Sequence, residues 1–230
     1  MKKTFLALGL GVFCASSVMA VPQLQLDIAG GSYDNASGTI IANGNPFTLY
    51  ALYDAGLGDP SGNFYISASI TPQTSSGGFG SFTVNGTSYS SLSGMQFGTP
   101  PVDAAFPSLS SHNVFPTYFA EIEFTFSDLN RAAAYDSQTN PGGLVADANG
   151  ALVYQAFTVD VTGLGAGSIL HFDLYNTFLR RGIGNDTSFA QFTHDAQSSV
   201  NVPDSGAPLL LMGAGFIACA FFSRKFVKTA

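Results

Sequence analysis

Apolar and polar residues alternate with a period of two in short segments along most of this chain. The clearest segment is 118–127, in which Ile122, Phe124 and Phe126 are separated by polar residues. Because successive side chains of a strand point to opposite faces, this period predicts β-strands with one buried face. Further segments of this kind lie at 23–28, 46–54, 65–70, 79–84, 151–162, 168–176 and 189–193.

Turn-forming residues separate these segments and set the fold class. The Asn85-Gly86 step is a strong hairpin signal. Residues 129–135, with a run of three alanines, are the main candidate for a helix, and long loops are predicted over 94–115 and 136–150. Eight or more short strands with such turns predict an all-β domain, an antiparallel β-sandwich with a jelly-roll-like arrangement.

The first twenty residues have the three parts of a secretory signal peptide. Two lysines open the segment, an apolar run follows as far as residue 14, and small residues end it at Ala20. This pattern predicts export by the Sec pathway and cleavage by signal peptidase between Ala20 and Val21. We therefore expect residues 1–20 to be removed and the mature chain to begin at Val21.

The last thirty residues contain a short motif, an apolar run and a basic tail, in that order. A helix over 207–222 would be about 24 Å long, slightly less than a bilayer core of about 30 Å. Basic residues after the run, in the tail 223–230, place that end in the cytoplasm and the preceding domain outside. The motif residues are Val202, Pro203, Asp204, Ser205 and Gly206, and the basic residues are Arg224, Lys225 and Lys228.

This order resembles the VPDSG-CTERM branch of the PEP-CTERM sorting signals, which exosortases process in Gram-negative bacteria. All five residues of the motif at 202–206 match. The resemblance implies that the motif is a recognition and processing site, and that the chain is an exosortase substrate. It further implies an inner-membrane anchor, then the cell surface or extracellular matrix, and an association with exopolysaccharide or biofilm. A plain membrane helix is the alternative.

The region between the two ends, 21–201, is the predicted ectodomain. Its segments 119–126, 157–162 and 171–176 are similar to the choice-of-anchor group of bacterial surface domains, and this resemblance implies no biochemical activity. Both cysteines, Cys14 and Cys219, lie outside the ectodomain, which excludes disulfides and thiolate metal sites within it.

Charge in the ectodomain is sparse and acidic. Three arginines against fourteen carboxylates give it a formal charge of −11. Nucleic-acid phosphates are bound by clustered lysine and arginine, so we expect no nucleic-acid partner.

Glu121 and Glu123 are the two glutamates of the chain, and they lie two positions apart on a predicted strand. Their α-carbons would be about 6.6 Å apart on one face. Paired carboxyls can act on a glycosidic bond, but the solvated face of an ordinary strand has the same pattern. No nucleophile-elbow, phosphate-loop or zinc-protease motif is present. We therefore predict that the protein is not an enzyme, with a glycoside-active enzyme as an alternative.

The three histidines are His112, His171 and His194. On the predicted strand 168–176, His171 shares a face with Asp173 and Tyr175. Two histidines with a carboxylate can bind zinc or act as acid and base. Their spacing in the sequence shows no local ligand cluster, so we interpret the histidines as ordinary surface or core-edge residues.

Calcium is the one cofactor that the composition suggests, as a structural ion. Acidic and amide side chains are concentrated in the predicted loop 136–150, and such oxygens are suitable calcium ligands. The same residue types are also standard turn formers. The candidates in this loop are Asp136, Asn140, Asp147 and Asn149, and Asp54 and Asp59 bracket a second segment.

These observations predict an exported, non-enzymatic envelope or matrix protein. A carbohydrate-binding module is a second hypothesis, because tyrosines on strands can stack on sugar rings. The tyrosines considered for this role are Tyr50, Tyr118 and Tyr175.

Overall fold

The structure, a computed structural model, describes residues 21–57, 63–180 and 184–199. The signal peptide and the sorting segment predicted from the sequence lie outside the described residues, as does Asp59. Within these three ranges, no helix has the length and apolar character needed to cross a membrane.

The described chain contains fourteen strands and two short 3-10 helices, which confirms the all-β prediction. The 3-10 helices are Ala55–Leu57 and Phe192–His194. The strands are β1 (Leu24–Ile28), β2 (Ser32–Asp34), β3 (Thr39–Ile41), β4 (Phe47–Asp54), β5 (Phe64–Thr71), β6 (Ser81–Val84), β7 (Thr87–Ser90), β8 (Gln96–Gly98), β9 (Thr117–Phe124), β10 (Arg131–Ala132), β11 (Leu152–Asp160), β12 (Ile169–Arg180), β13 (Gly184–Phe189) and β14 (Ala196–Gln197).

The strands form two sheets that make a β-sandwich. The first sheet has the order β1-β4-β11-β6-β7, with β10 also paired to β11. The second has the order β2-β3-β14-β12-β5-β9-β8, with β13 also paired to β12. Neighbouring strands are antiparallel except for β3 and β14, which run parallel. Strand β12 therefore lies near the middle of the second sheet.

The main core lies between the inner faces of the two sheets. On β12, Leu170, Phe172 and Leu174 are fully buried and belong to this core. Phe172 contacts Phe47 of the opposite sheet edge to face, with ring centroids 6.1 Å apart. Alternation along β12 turns His171 and Asp173 to the outer face of the second sheet.

A loop covers that outer face, so its polar residues are also buried. The loop before β9 contributes Leu109, Val114 and Phe115 to a second apolar cluster, which includes Phe119 and contacts Phe189. This cover explains why His171 and Asp173 are 4% and 2% exposed although they point away from the main core.

The outer face of the first sheet is covered in the same way. Gln25 and Asp27 of β1 are fully buried. The Gln25 side chain donates to the carbonyl of Tyr135 at 2.9 Å and accepts from the amide of Ser137 at 2.9 Å. Alternation alone would place these two polar side chains in solvent, but the chain after β10 folds over them.

The helix predicted over 129–135 is wrong. A turn ends at Asn130, and Arg131 and Ala132 then form β10, paired with β11. The strand predicted over 189–193 is also wrong, because Phe189 ends β13 and a 3-10 helix begins at Phe192. The hairpin at Asn85-Gly86 is confirmed, with φ of 49° and 79° at its two central residues.

Candidate metal centre

Four side chains from three separate segments converge on the outer face of the second sheet. His171 and Asp173 come from β12, His112 from the loop before β9, and Asp195 from the step between the last 3-10 helix and β14. Each offers one potential ligand atom, and these atoms all lie within 4.8 Å of one another. Among the described residues, this is the one group of three or more His, Cys, Asp or Glu side chains that converges in this way.

The contacts within the cluster are short. His112 Nε2 lies 3.1 Å from Asp173 Oδ1 and 3.3 Å from His171 Nε2. His171 Nε2 lies 3.5 Å from Asp173 Oδ1 and 3.6 Å from Asp195 Oδ2. The Nε2 atoms of both histidines therefore lie beside Asp173, and that of His171 also lies beside Asp195.

Three buried carboxylate oxygens of the cluster accept no hydrogen bond. Both oxygens of Asp173 and Oδ2 of Asp195 are inaccessible to solvent and have no donor within hydrogen-bond geometry. Ser67 and Ser69 lie opposite Asp173 and His171 on β5, but their hydroxyls bond to each other at 2.8 Å. Buried polar groups in proteins are almost always paired, so these oxygens need protonated imidazoles or a bound cation beside them.

Local contacts fix the ring of His112 with its Nε2 towards the carboxylates. Its Nδ1 lies 2.8 Å from the carbonyl oxygen of Ser110, which can only accept, so Nδ1 carries a proton. The ring stacks on Phe192, with centroids 4.5 Å apart, and contacts Phe115 edge to face. The backbone of His112 has φ of 25°, a left-handed conformation that is uncommon outside glycine.

Electrostatics couples the four groups. Burial alone would lower the pKa of His171, but the Asp173 and Asp195 carboxylates outweigh it and raise that pKa to about 10. For His112, Asp173 likewise outweighs burial, and the pKa of His112 is raised. Burial and the Asp173 charge raise the pKa of Asp195 to about 7, whereas the two imidazoles hold the pKa of Asp173 below its usual value against burial. The charged form of Asp173 is thus favoured by the two imidazoles, whereas burial and the Asp173 charge disfavour the charged form of Asp195.

A pocket of about 360 Å³ opens beside the cluster. His112, His171 and Asp195 line it, together with Phe192 at 46% exposure. Thr71, at the end of β5, also lines the pocket, and its buried hydroxyl has no hydrogen-bond partner. The pocket therefore borders three of the four side chains of the cluster.

The sequence did not predict that His112 and His171 meet in one cluster with two carboxylates. His112 and His171 are 59 positions apart in the sequence, so their contact depends on the tertiary fold. Sequence reasoning identified His171 and Asp173 as sharing a face, which was the available signal, but it did not identify His112 or Asp195 as partners. The third histidine, His194, lies apart from the cluster and contacts Asp136 Oδ1 at 3.2 Å.

Glu121 and Glu123 lie on β9, and each accepts hydrogen bonds from different protein groups. Glu121 accepts from the hydroxyl of Tyr175 and from the amide of Val102, the latter at 2.9 Å. Glu123 accepts from the side-chain amide of Asn63 at 2.7 Å. Neither lines the pocket beside the histidines.

The calcium candidates lie in turns. Asp136 Oδ1 accepts from the amides of Gln138 and Thr139, and Asp147 Oδ1 accepts from the amide of Asn149 at 2.9 Å. The backbone amide of Asn140 donates to the carbonyl of Asp136. Asp54 Oδ1 similarly accepts from the amide of Gly56. These carboxylates act as turn formers, and calcium binding to them stays a prediction.

One of the three tyrosines considered for sugar stacking is excluded. Tyr175 is fully buried against Tyr65 and Phe189, so its ring is not available to a ligand. Tyr50 is half-buried beside Tyr154, and Tyr118 is half-buried between Phe79 and Phe97.

The residues of the predicted processing sites are mostly outside the described ranges. Val21 is described and packs on the small cluster formed by Leu52, Ala132 and Leu152. Ala20 and the sorting-signal residues Val202, Pro203, Asp204, Ser205, Gly206, Arg224, Lys225 and Lys228 are outside them.

No family model, curated protein or solved structure matches this chain.

Proposed function

We propose that this chain is an exported surface protein of a Gram-negative bacterium, sorted by an exosortase. The observation that carries the proposal is the sequence of the C-terminal segment, in which the 202–206 motif is followed by an apolar run and a basic tail. The signal-peptide pattern of residues 1–20 gives independent support, because a sorting signal acts only on an exported chain. The proposed partners are signal peptidase, exosortase and the membrane.

We further propose that the ectodomain, a jelly-roll-like β-sandwich, is not an enzyme and functions in the matrix, in association with exopolysaccharide or biofilm. The two glutamates that could have acted on a glycosidic bond are each held by hydrogen bonds from other protein groups. Its acidic composition and its lack of lysine support a role without nucleic acid.

The test is the mass and location of the protein from its native host, with and without the exosortase. We expect a chain that begins at Val21 and ends within 202–206 when the enzyme is present, and a chain that keeps 207–230 when it is absent. Pro203→Ala, within the motif, should reduce processing, whereas the control Pro208→Ala, just beyond it, should not. A tail retained in both strains would contradict the sorting proposal.

A further inference from the structure

We propose that His112, His171, Asp173 and Asp195 form a tetrahedral site for Zn²⁺ that cross-links three segments of the β-sandwich. This inference goes beyond the proposed sorting function and does not depend on it. It rests on the ligand geometry, the charge balance and the unpartnered oxygens of the cluster.

The spacing of the ligand atoms fits a tetrahedral zinc ion. Zinc binds imidazole nitrogen and carboxylate oxygen at about 2.0–2.2 Å, so that neighbouring ligands of a tetrahedral ion lie about 3.3–3.6 Å apart. Four of the six ligand pairs in the cluster are separated by 3.1, 3.3, 3.5 and 3.6 Å. In the remaining two pairs, the ligand atoms are at most 4.8 Å apart.

The charges also balance. Once a bound metal has displaced the imidazole protons, two neutral imidazoles and two carboxylates carry a net charge of −2, which one divalent cation neutralises. A cation would also partner the buried oxygens of Asp173 and Asp195, which accept no hydrogen bond from the described residues. The imidazole nitrogens lie 3.1–3.6 Å from these oxygens without hydrogen-bond geometry, so a cation bound between the four side chains would satisfy the oxygens better.

Neighbouring groups hold the His112 ring in the orientation and tautomer that a metal ligand needs. Ligating histidines usually donate their second ring nitrogen to a carbonyl or carboxylate, which fixes the tautomer. His112 does this through Nδ1 and the carbonyl of Ser110, and the lone pair of its Nε2 then faces the cluster when the ring is neutral. Its left-handed backbone is a strained conformation of the kind that concentrates at functional sites.

The ligand set indicates zinc and not calcium. Calcium takes six to eight oxygen ligands, whereas imidazole nitrogen with carboxylate in a four-coordinate set is typical of zinc. Four protein ligands without an open position characterise a structural zinc site. The ectodomain has no cysteine, so a zinc cross-link would take the place that disulfides have in other exported domains.

The experiment uses the full chain, produced with its own signal peptide in a bacterial host and purified from the membrane in detergent. After the protein is stripped with a chelator, Zn²⁺ and, separately, Ca²⁺ are titrated by calorimetry, and bound metal is counted by mass spectrometry. We expect one zinc per chain and no displacement of zinc by calcium. His171→Gln and Asp195→Asn should each weaken zinc binding at least about 100-fold, the upper end of the effect of an outer-shell partner.

His194→Asn is the matched control, because His194 is buried like His171 but lies outside the cluster. It should leave the stoichiometry and the affinity unchanged. A second measurement needs no variant: Co²⁺ bound to the wild-type chain should give the intense visible absorption of a tetrahedral complex, and Zn²⁺ should abolish it. Absence of zinc and cobalt binding, a weakly absorbing octahedral cobalt complex, or loss of binding in His194→Asn but not in Asp195→Asn would overturn the proposal.

Discussion

Asp27 is a buried carboxylate that ties β1 to the segment covering it. Its Oδ1 accepts from the amides of Ile28 and Gly142, and its Oδ2 accepts from the hydroxyl of Tyr135 at 2.7 Å. Burial raises the pKa of Asp27 above its usual value, although these hydrogen bonds partly offset the effect. The folded protein therefore binds a proton at Asp27 more readily than the unfolded chain does.

This shift predicts a pH dependence of stability that Asp27→Asn removes. Between the unfolded and the raised folded pKa the native state holds more protons, so the contribution of Asp27 to the free energy of unfolding falls as pH rises. The unfolding free energy of Asp27→Asn minus that of the wild type should therefore be more positive at about pH 7 than at about pH 4. Urea unfolding of both proteins at both pH values measures this difference.

Subtracting one protein from the other cancels the titration of every group that the substitution leaves unchanged. A difference that is the same at both pH values, or smaller at about pH 7, would mean that burial does not raise the pKa of Asp27. Asp34→Asn is a suitable control for the opposite sign, because hydrogen bonds from Ser37 hold the pKa of Asp34 below its usual value. Asp34→Asn therefore removes a contribution to the free energy of unfolding that is present at neutral pH and lost as pH falls.

At the scale of elements, the β6–β7 hairpin depends on its two-residue turn. Asn85 and Gly86 both have positive φ, and a Cβ at Gly86 would meet no atom within 4 Å. Gly86→Ala should therefore destabilise the protein through the backbone alone, by about 1–2 kcal/mol. Equilibrium unfolding in urea measures the loss.

Gly44 is the matched control for this substitution. A Cβ there also meets open space, and its φ lies outside the left-handed region. Gly44→Ala should change the free energy of unfolding by only a few tenths of a kcal/mol, or stabilise slightly by restricting the unfolded chain. Equal losses at Gly86 and Gly44 would show that the turn conformation does not limit stability.

Most strands were predictable because one face of each is apolar over several residues. The segments that became β4, β5, β9, β11 and β12 all showed the alternation. The helix predicted over 129–135 does not form, because the helix propensity of three alanines is outweighed by the pairing of Arg131 and Ala132 with β11. The alternation also did not predict the burial of Gln25 and Asp27, which depends on a distant loop.

The candidate site could be predicted only in part. His171 and Asp173 share a strand, so local periodicity placed them on one face. His112 and Asp195 reach them through a loop and a strand connection, and no local rule fixes where such segments fold. The ligand set therefore became visible only when the tertiary fold brought these segments together.

At the scale of the whole molecule, zinc should stabilise the sandwich against heat. A ligand that binds only the native state at 100 times its dissociation constant adds about 2.7 kcal/mol to the free energy of unfolding. For a domain of this size, that corresponds to a rise of roughly 5–10 °C in melting temperature. Calorimetric scans of the chelator-treated protein, with and without Zn²⁺, measure the rise.

Asp195→Asn should lose most of this rise, while His194→Asn should retain it. An identical rise in the wild type and in Asp195→Asn would place the stabilising zinc elsewhere on the molecule. Added Ca²⁺ provides a further comparison, because the acidic turns at Asp136 and Asp147 are possible oxygen ligands. A rise with Ca²⁺ that persists in Asp195→Asn would place the bound calcium outside the zinc cluster, with those turns as candidates.

We expect the mature protein to be an exported, processed β-sandwich without cysteines that carries one zinc ion. Native and denaturing mass spectrometry of the protein recovered from the surface fraction of its own host tests both expectations. We predict a polypeptide that runs from Val21 to within 202–206, with a native mass greater by one zinc ion. A polypeptide that retains 207–230 would contradict the sorting, and equal native and denatured masses would contradict the metal centre.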